Sequence, residues 1–109
     1  MRWNIPGRRA ASAMAALWLL ALPAHAAVAT VGIDNFAFTP ETLTIKPGDT
    51  VVFENHDDIP HSIVESSGKF RSKALDTNDK YSVSFDKVGD IAYFCGLHPH
   101  MKGKIVVAP

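Results

Sequence analysis

A single cysteine, Cys95, is all the thiol chemistry this 109-residue chain has, so no intramolecular disulfide can staple it. Small exported domains bury a modest fraction of their surface and often recruit disulfides or a metal for stability; only the metal is open here. A lone thiol in an oxidising compartment is also a liability unless something covers or occupies it. The chain is short of apolar length as well. Its longest apolar run, Ala10 to Leu22, is about a dozen residues, whereas a spanning helix needs roughly 20, so no stable membrane insertion is expected. Neither sign of charge dominates, with 11 Lys/Arg against 11 Asp/Glu, which leaves no basic footprint for nucleic acid.

The first quarter differs from the rest. Met1 to Arg9 carries three arginines and no acid, and after the apolar run Pro23 precedes the small-residue pattern Ala24-His25-Ala26. This is the pattern of a secretory signal cleaved after Ala26, and Arg8-Arg9 keeps the twin-arginine route open beside the general one. Residues 1–26 are therefore expected to be a cleaved signal peptide and 27–109 the folded domain, periplasmic and monomeric. That domain keeps eight basic and eleven acidic residues, a net −3, so the neutral whole-chain figure misleads.

From Val28 onward no 3.6-residue apolar period is sustained, and short runs rich in Val, Ile, Phe, Tyr and Thr recur between turn residues. The domain reads as all-β. Strands are expected at Val28–Ile33, Thr42–Ile45, Thr50–Asn55, His61–Glu65, Tyr81–Phe85, Ile91–Cys95 and Gly103–Val107, enough for a sandwich or barrel. Lys46-Pro47-Gly48-Asp49 and Val88-Gly89-Asp90 read as sharp turns. Ser66 to Asp79 is polar and reads as a long, weakly structured connection that buries little beyond Phe70 and Leu75. Two-residue alternation through Ile91, Tyr93 and Cys95 points the thiol at the core from the end of a strand.

Cys95-Gly96-Leu97-His98-Pro99-His100-Met101 sets a thiolate, imidazoles and a thioether within seven residues. Calcium and magnesium call for carboxylate and carbonyl oxygens, and structural zinc for more cysteines. Copper fits: thiolate and thioether suit the cuprous ion, imidazole suits both oxidation states, and two His, one Cys and a weak axial Met make the blue-copper set. The set still lacks a histidine from elsewhere. His61, aimed by the fixed φ of Pro60, is favoured over His56, which sits in the polar loop Asn55 to Asp58.

These residues resemble the cupredoxins, in particular the plastocyanin and amicyanin group, across Val31 to Val107. Phe36-x-Phe38-x-Pro40, Lys46-Pro47-Gly48-Asp49-Thr50-Val51, Pro60-His61 and Met101-x-Gly103-Lys104 carry the resemblance, and Cys95-x-x-His98-x-x-Met101 has amicyanin's short ligand-loop spacing. The resemblance implies an eight-stranded Greek-key sandwich, the extra strand lying within Phe36 to Phe38 or Phe70 to Leu75. It implies one type 1 copper held by His61 Nδ1, Cys95 Sγ, His98 Nδ1 and a longer contact from Met101 Sδ, with His98 near the surface as the electron port.

Two positions depart from the pattern. Ser62 stands where the family often has Asn, and His100 stands where amicyanin has a bulky apolar residue. His100 reads as a donor behind the ligands, a protonatable group at the port, a second metal site with His56, or a surface histidine, and the last is favoured. No open coordination position and no nucleophile with an adjacent base is present, so an enzyme is not expected. The expected function is shuttling of single electrons between redox proteins, with a dehydrogenase or cytochrome docking transiently around His98. Copper storage or delivery through the same residues is the alternative.

Overall fold

The computed structural model describes residues 26–109; the segment read as an export signal falls outside them except for Ala26. Among the described residues eight strands form two four-stranded sheets. The strands are β1 (Val28–Asp34), β2 (Ala37–Thr39), β3 (Thr42–Ile45), β4 (Thr50–Asn55), β5 (Val64–Glu65), β6 (Lys80–Ser84), β7 (Gly89–Phe94) and β8 (Lys102–Val107). One sheet runs β2-β1-β4-β6 and the other β3-β8-β7-β5, with β1 parallel to β4 and β3 parallel to β8. The extra strand implied by the resemblance is β2, joined to β1 by a two-residue turn.

In that turn Asn35 and Phe36 have φ of 50° and 60°, the backbone that a tight hairpin needs at both central positions. Asn adopts it readily; a bulky Phe does not, so Phe36 must be held there by its surroundings.

Alternation is clean where a strand has one face on the core. In β4 Val51 and Phe53 are buried, and Val31 and Ile33 of β1 lie in the same layer. Ile105 and Val107 of β8 close it from the facing sheet, with Tyr93 packed edge-on against Phe38 and Phe53 at centroid distances of 4.8 and 5.2 Å. Each such side chain stabilises the fold by roughly 1.5–3 kcal/mol of burial, so the sandwich is a rigid platform for the loops at its end.

Three expectations need correction. The strand read at His61–Glu65 shrinks to Val64–Glu65: Pro60 offers no N–H, and His61 is left in an isolated bridge to Leu75 instead of a ladder. The turn read at Val88 to Asp90 shifts, because β7 already begins at Gly89. The connection from Ser66 to Asp79 is built in, not loose. Leu75 and Ser72 are buried, His61 and Leu75 exchange both backbone bonds (3.1 and 2.7 Å), and Ser72 Oγ accepts from Ile63 N at 2.9 Å.

Candidate metal centre

Cys95 follows the last residue of β7, and the chain then turns back on itself before β8. The turn is closed by its own backbone: His98 N donates to Cys95 O (3.2 Å), Met101 N to His98 O (2.9 Å) and Cys95 N to Met101 O (3.0 Å). This loop therefore presents Cys95, His98 and Met101 from one hydrogen-bonded ring of backbone. His61 arrives from the other side, on the segment between β4 and β5, pinned by its double bond to Leu75.

Three donors converge. His61 Nδ1 and His98 Nδ1 lie 3.2 Å apart, and Cys95 Sγ is 3.7 Å from each. Donors about 2.0–2.3 Å from one first-row ion are separated by such distances. His61 and Cys95 are fully buried and His98 is half-buried, and among the described residues no carboxylate oxygen belongs to the cluster. Two imidazoles and a cysteine sulfur, without hard oxygen donors, fit copper and not calcium or magnesium. Met101 is buried on the same loop, its backbone bonded to those of both Cys95 and His98.

The groups behind the donors set their states. His61 Nε2 lies 2.8 Å from Asp57 Oδ2; a carboxylate only accepts, so the proton sits on Nε2 and the Nδ1 lone pair faces inward. Asp57 is itself held, accepting from Asn35 N at 2.6 Å and Phe36 N at 2.9 Å. Burial works against its charge, but the amides of Phe36 and Asn35 and the His61 ring outweigh it and keep this carboxyl below its ordinary range. Ser62 N donates to Cys95 Sγ at 3.4 Å, and Gly96 N donates to Ser62 Oγ at 3.0 Å. The serine thus ties the two ligand segments together across 34 positions of sequence.

Sequence reasoning missed Asp57, Asn55 and Phe36 at this site. Asn55 is fully buried; its amide donates to Ile59 O and Leu75 O, both at 2.9 Å, and its oxygen accepts from Asp57 N. Phe36 stands edge-on to both imidazoles, 5.5 Å from His61 and 5.2 Å from His98, which is what keeps it in its positive-φ turn. An acid four positions before a histidine and an Asn-Phe turn were the available signs.

His56 stays out of the cluster, its ring 3.3 Å from Asp34 and 3.5 Å from Glu54. His100 is exposed, its ring 6.4 Å from that of His98.

The chain is similar to known proteins of one family. The cupredoxin-like domain family model matches residues 9–107. Amicyanin of Paracoccus versutus is 34% identical over 91 residues, covering 79% of this chain and 67% of that protein. Chloroplastic plastocyanin of Tetradesmus obliquus is 36% identical over 114 residues, covering 91% and 79%. Among solved structures, an oxidised mutant of amicyanin aligns with a TM-score of 0.70 at 28% identity, covering 73% of this chain and 81% of that one. A purple cupredoxin from Nitrosopumilus maritimus aligns at 0.68 and 31%, covering 73% and 99%. The chain belongs to the cupredoxin-like domain family.

Proposed function

We propose that His61, Cys95, His98 and Met101 hold one copper ion and that the protein carries single electrons between redox proteins. The observation that carries this reading is the cluster of two inward-facing imidazole nitrogens and one buried sulfur within 4.8 Å of one another, reached by solvent only at His98. Copper bound there supplies a one-electron couple. The chain's residues supply rigidity: Asp57 fixes the His61 ring, Ser62 ties the loops, and the closed 95–101 turn fixes the other donors. A site that barely changes shape loses little in reorganisation when the electron moves.

His98 is the port in this reading. Around it Leu97 is 50% and Phe36 45% exposed, an apolar rim suited to brief contact with another redox protein and too small for a permanent interface. The protein is a carrier and not an enzyme. We place it in the periplasm as a monomer, with residues 1–26 removed in export by the general or twin-arginine route and 27–109 forming the domain. In support, β1 begins at Val28, immediately after the exposed Ala26-Ala27 pair. The partner is taken to be a dehydrogenase or cytochrome.

Voltammetry of the copper-loaded protein tests the reading. A reversible one-electron wave at positive potential supports it; a site that stays cuprous and colourless, or more than one tightly bound copper per chain, supports delivery instead.

A further inference from the structure

Copper chemistry leaves one well-built contact at the opposite end of the chain unexplained. The backbone nitrogen of Ala27 donates to Asp49 Oδ1 at 2.9 Å, while Ala27 O accepts from Thr50 N at 3.0 Å, just before β1 enters its ladder with β4 at Val28 and Thr50. Asp49 is immobilised from its other side. Its Oδ2 accepts from Lys46 N at 3.0 Å, its N donates to Lys46 O, and its own carbonyl accepts from Phe85 N at 3.0 Å. Lys46 N alone would satisfy the turn; the second oxygen is aimed at Ala27. The pocket is completed by Thr44, Ile45, Ala108 and Pro109, and Lys46 is the charged side chain beside the carboxylate.

We infer that the exposed Ala26–Ala27 bond is the export processing site and that Asp49 is the receptor for the ammonium group that cleavage creates. In the cleavage, water supplies the second reactant and a signal peptidase the catalysis. The C–N bond breaks, the Ala26 carbonyl gains the water's oxygen and leaves as a carboxylate, and the Ala27 nitrogen takes up protons to become –NH3+. The N–H···O− contact, already charge-assisted through the carboxylate, then gains a positive charge on its donor and becomes an ion pair. The first residue of the sandwich is therefore held more tightly in the processed chain than in the precursor. The Asp49 carboxyl already lies below its ordinary range because of the Ala27 and Lys46 amides, so it is ionised whenever the ammonium forms.

The inference rests on export with cleavage but not on the metal reading. An α-ammonium has an ordinary pKa of about 7.7–8.0. Beside Asp49 it is raised, so its stabilisation is complete below that range and is lost as pH rises through the raised value.

The test uses copper-loaded protein recovered after export of the full chain. N-terminal sequencing is expected to begin at Ala27, NMR titration to give an α-amino pKa above about 8, and Tm to fall through that pH. Asp49→Asn, whose amide oxygen still accepts from Lys46, is expected to return the α-amino pKa to the ordinary range, to flatten that fall, and to leave the visible copper band unchanged. A mature chain beginning elsewhere, or an ordinary α-amino pKa in the unsubstituted protein, overturns the inference; the second readout decides even where Asp49→Asn does not fold. A missing copper band with a raised α-amino pKa sinks the metal reading and leaves this one standing.

Discussion

Nδ1 of His61 and Nδ1 of His98 face each other across 3.2 Å, although 37 positions separate them in sequence and each arrives on a different segment at the same end of the sandwich. They differ in one respect that matters: His61 is fully buried, with Asp57 behind it, whereas His98 is half-exposed. Phe36 stacks edge-on against both rings, so the β1–β2 hairpin, the His61 segment and the 95–101 loop meet at one ring.

That difference in exposure predicts different behaviour on ligand removal. In His98→Gly, added imidazole is expected to enter from solvent and restore most of the visible copper band. In His61→Gly the same imidazole restores little of it, because no route leads to the buried position. Absorption titrations with imidazole on the two copper-loaded variants check this.

Asp57→Asn keeps the shape of the side chain but removes its charge behind His61 and weakens its hold on the Asn35 and Phe36 amides. Loss of such a partner behind a metal-bound histidine typically costs about 10–100-fold in metal affinity. Cupric affinity is expected to fall by that much and the reduction potential to rise, since the lost negative charge favoured the more positive ion. Competition titration with a chelator and voltammetry measure the two effects.

His56 has a pKa raised first by its hydrogen bond to Asp34 and further by Glu54, against partial desolvation. A raised histidine stabilises the fold fully below its ordinary value of about 6.5 and loses that contribution as pH rises through its folded value. Tm of the copper-loaded protein is therefore expected to fall slightly across that window, and His56→Gln to remove this component. A wild-type profile identical to the variant's would show that the Asp34–His56 contact contributes nothing.

Gly103 lies where a Cβ would overlap the Cζ and hydroxyl of Tyr93, a ring fixed between Phe38 and Phe53 and unable to retreat. Gly103→Ala is expected to destabilise the domain by about 1–3 kcal/mol through overpacking, read by urea unfolding. Among the described residues the buried Tyr93 hydroxyl has no hydrogen-bond partner. Tyr93→Phe is accordingly expected to be neutral or slightly stabilising, since it removes an unpaired polar group.

Most of the framework was readable from local pattern. Thr42–Ile45 and Thr50–Asn55 are strands residue for residue, because the Lys46 to Asp49 turn and the alternation on either side leave no other register. Cys95 and His98 followed from donor chemistry and spacing, whereas His61, which clusters with them, rested on the loop entry at Pro60 and on the family resemblance. What local pattern could not carry were contacts set by distant pairing. Asp57 lies in the polar loop Asn55 to Asp58 with no local sign of its role, because the amides that hold it come from the β1–β2 hairpin 21 and 22 positions away. Ser66 to Asp79 looked loose because its order comes from single bridges to His61 and Val64 and not from a repeating face. Ser62, flagged as a departure from the family's usual residue, makes the tie between the ligand segments with a hydroxyl accepting from Gly96 N.

The most direct test of the account is an absorption spectrum recorded while the metal-free protein is titrated with cupric ion. The account predicts an intense visible thiolate-to-copper band that saturates at one copper per chain, bleaches on one-electron reduction and returns on reoxidation, and is absent in Cys95→Ser. A colourless copper complex, or an unchanged band in Cys95→Ser, would contradict it.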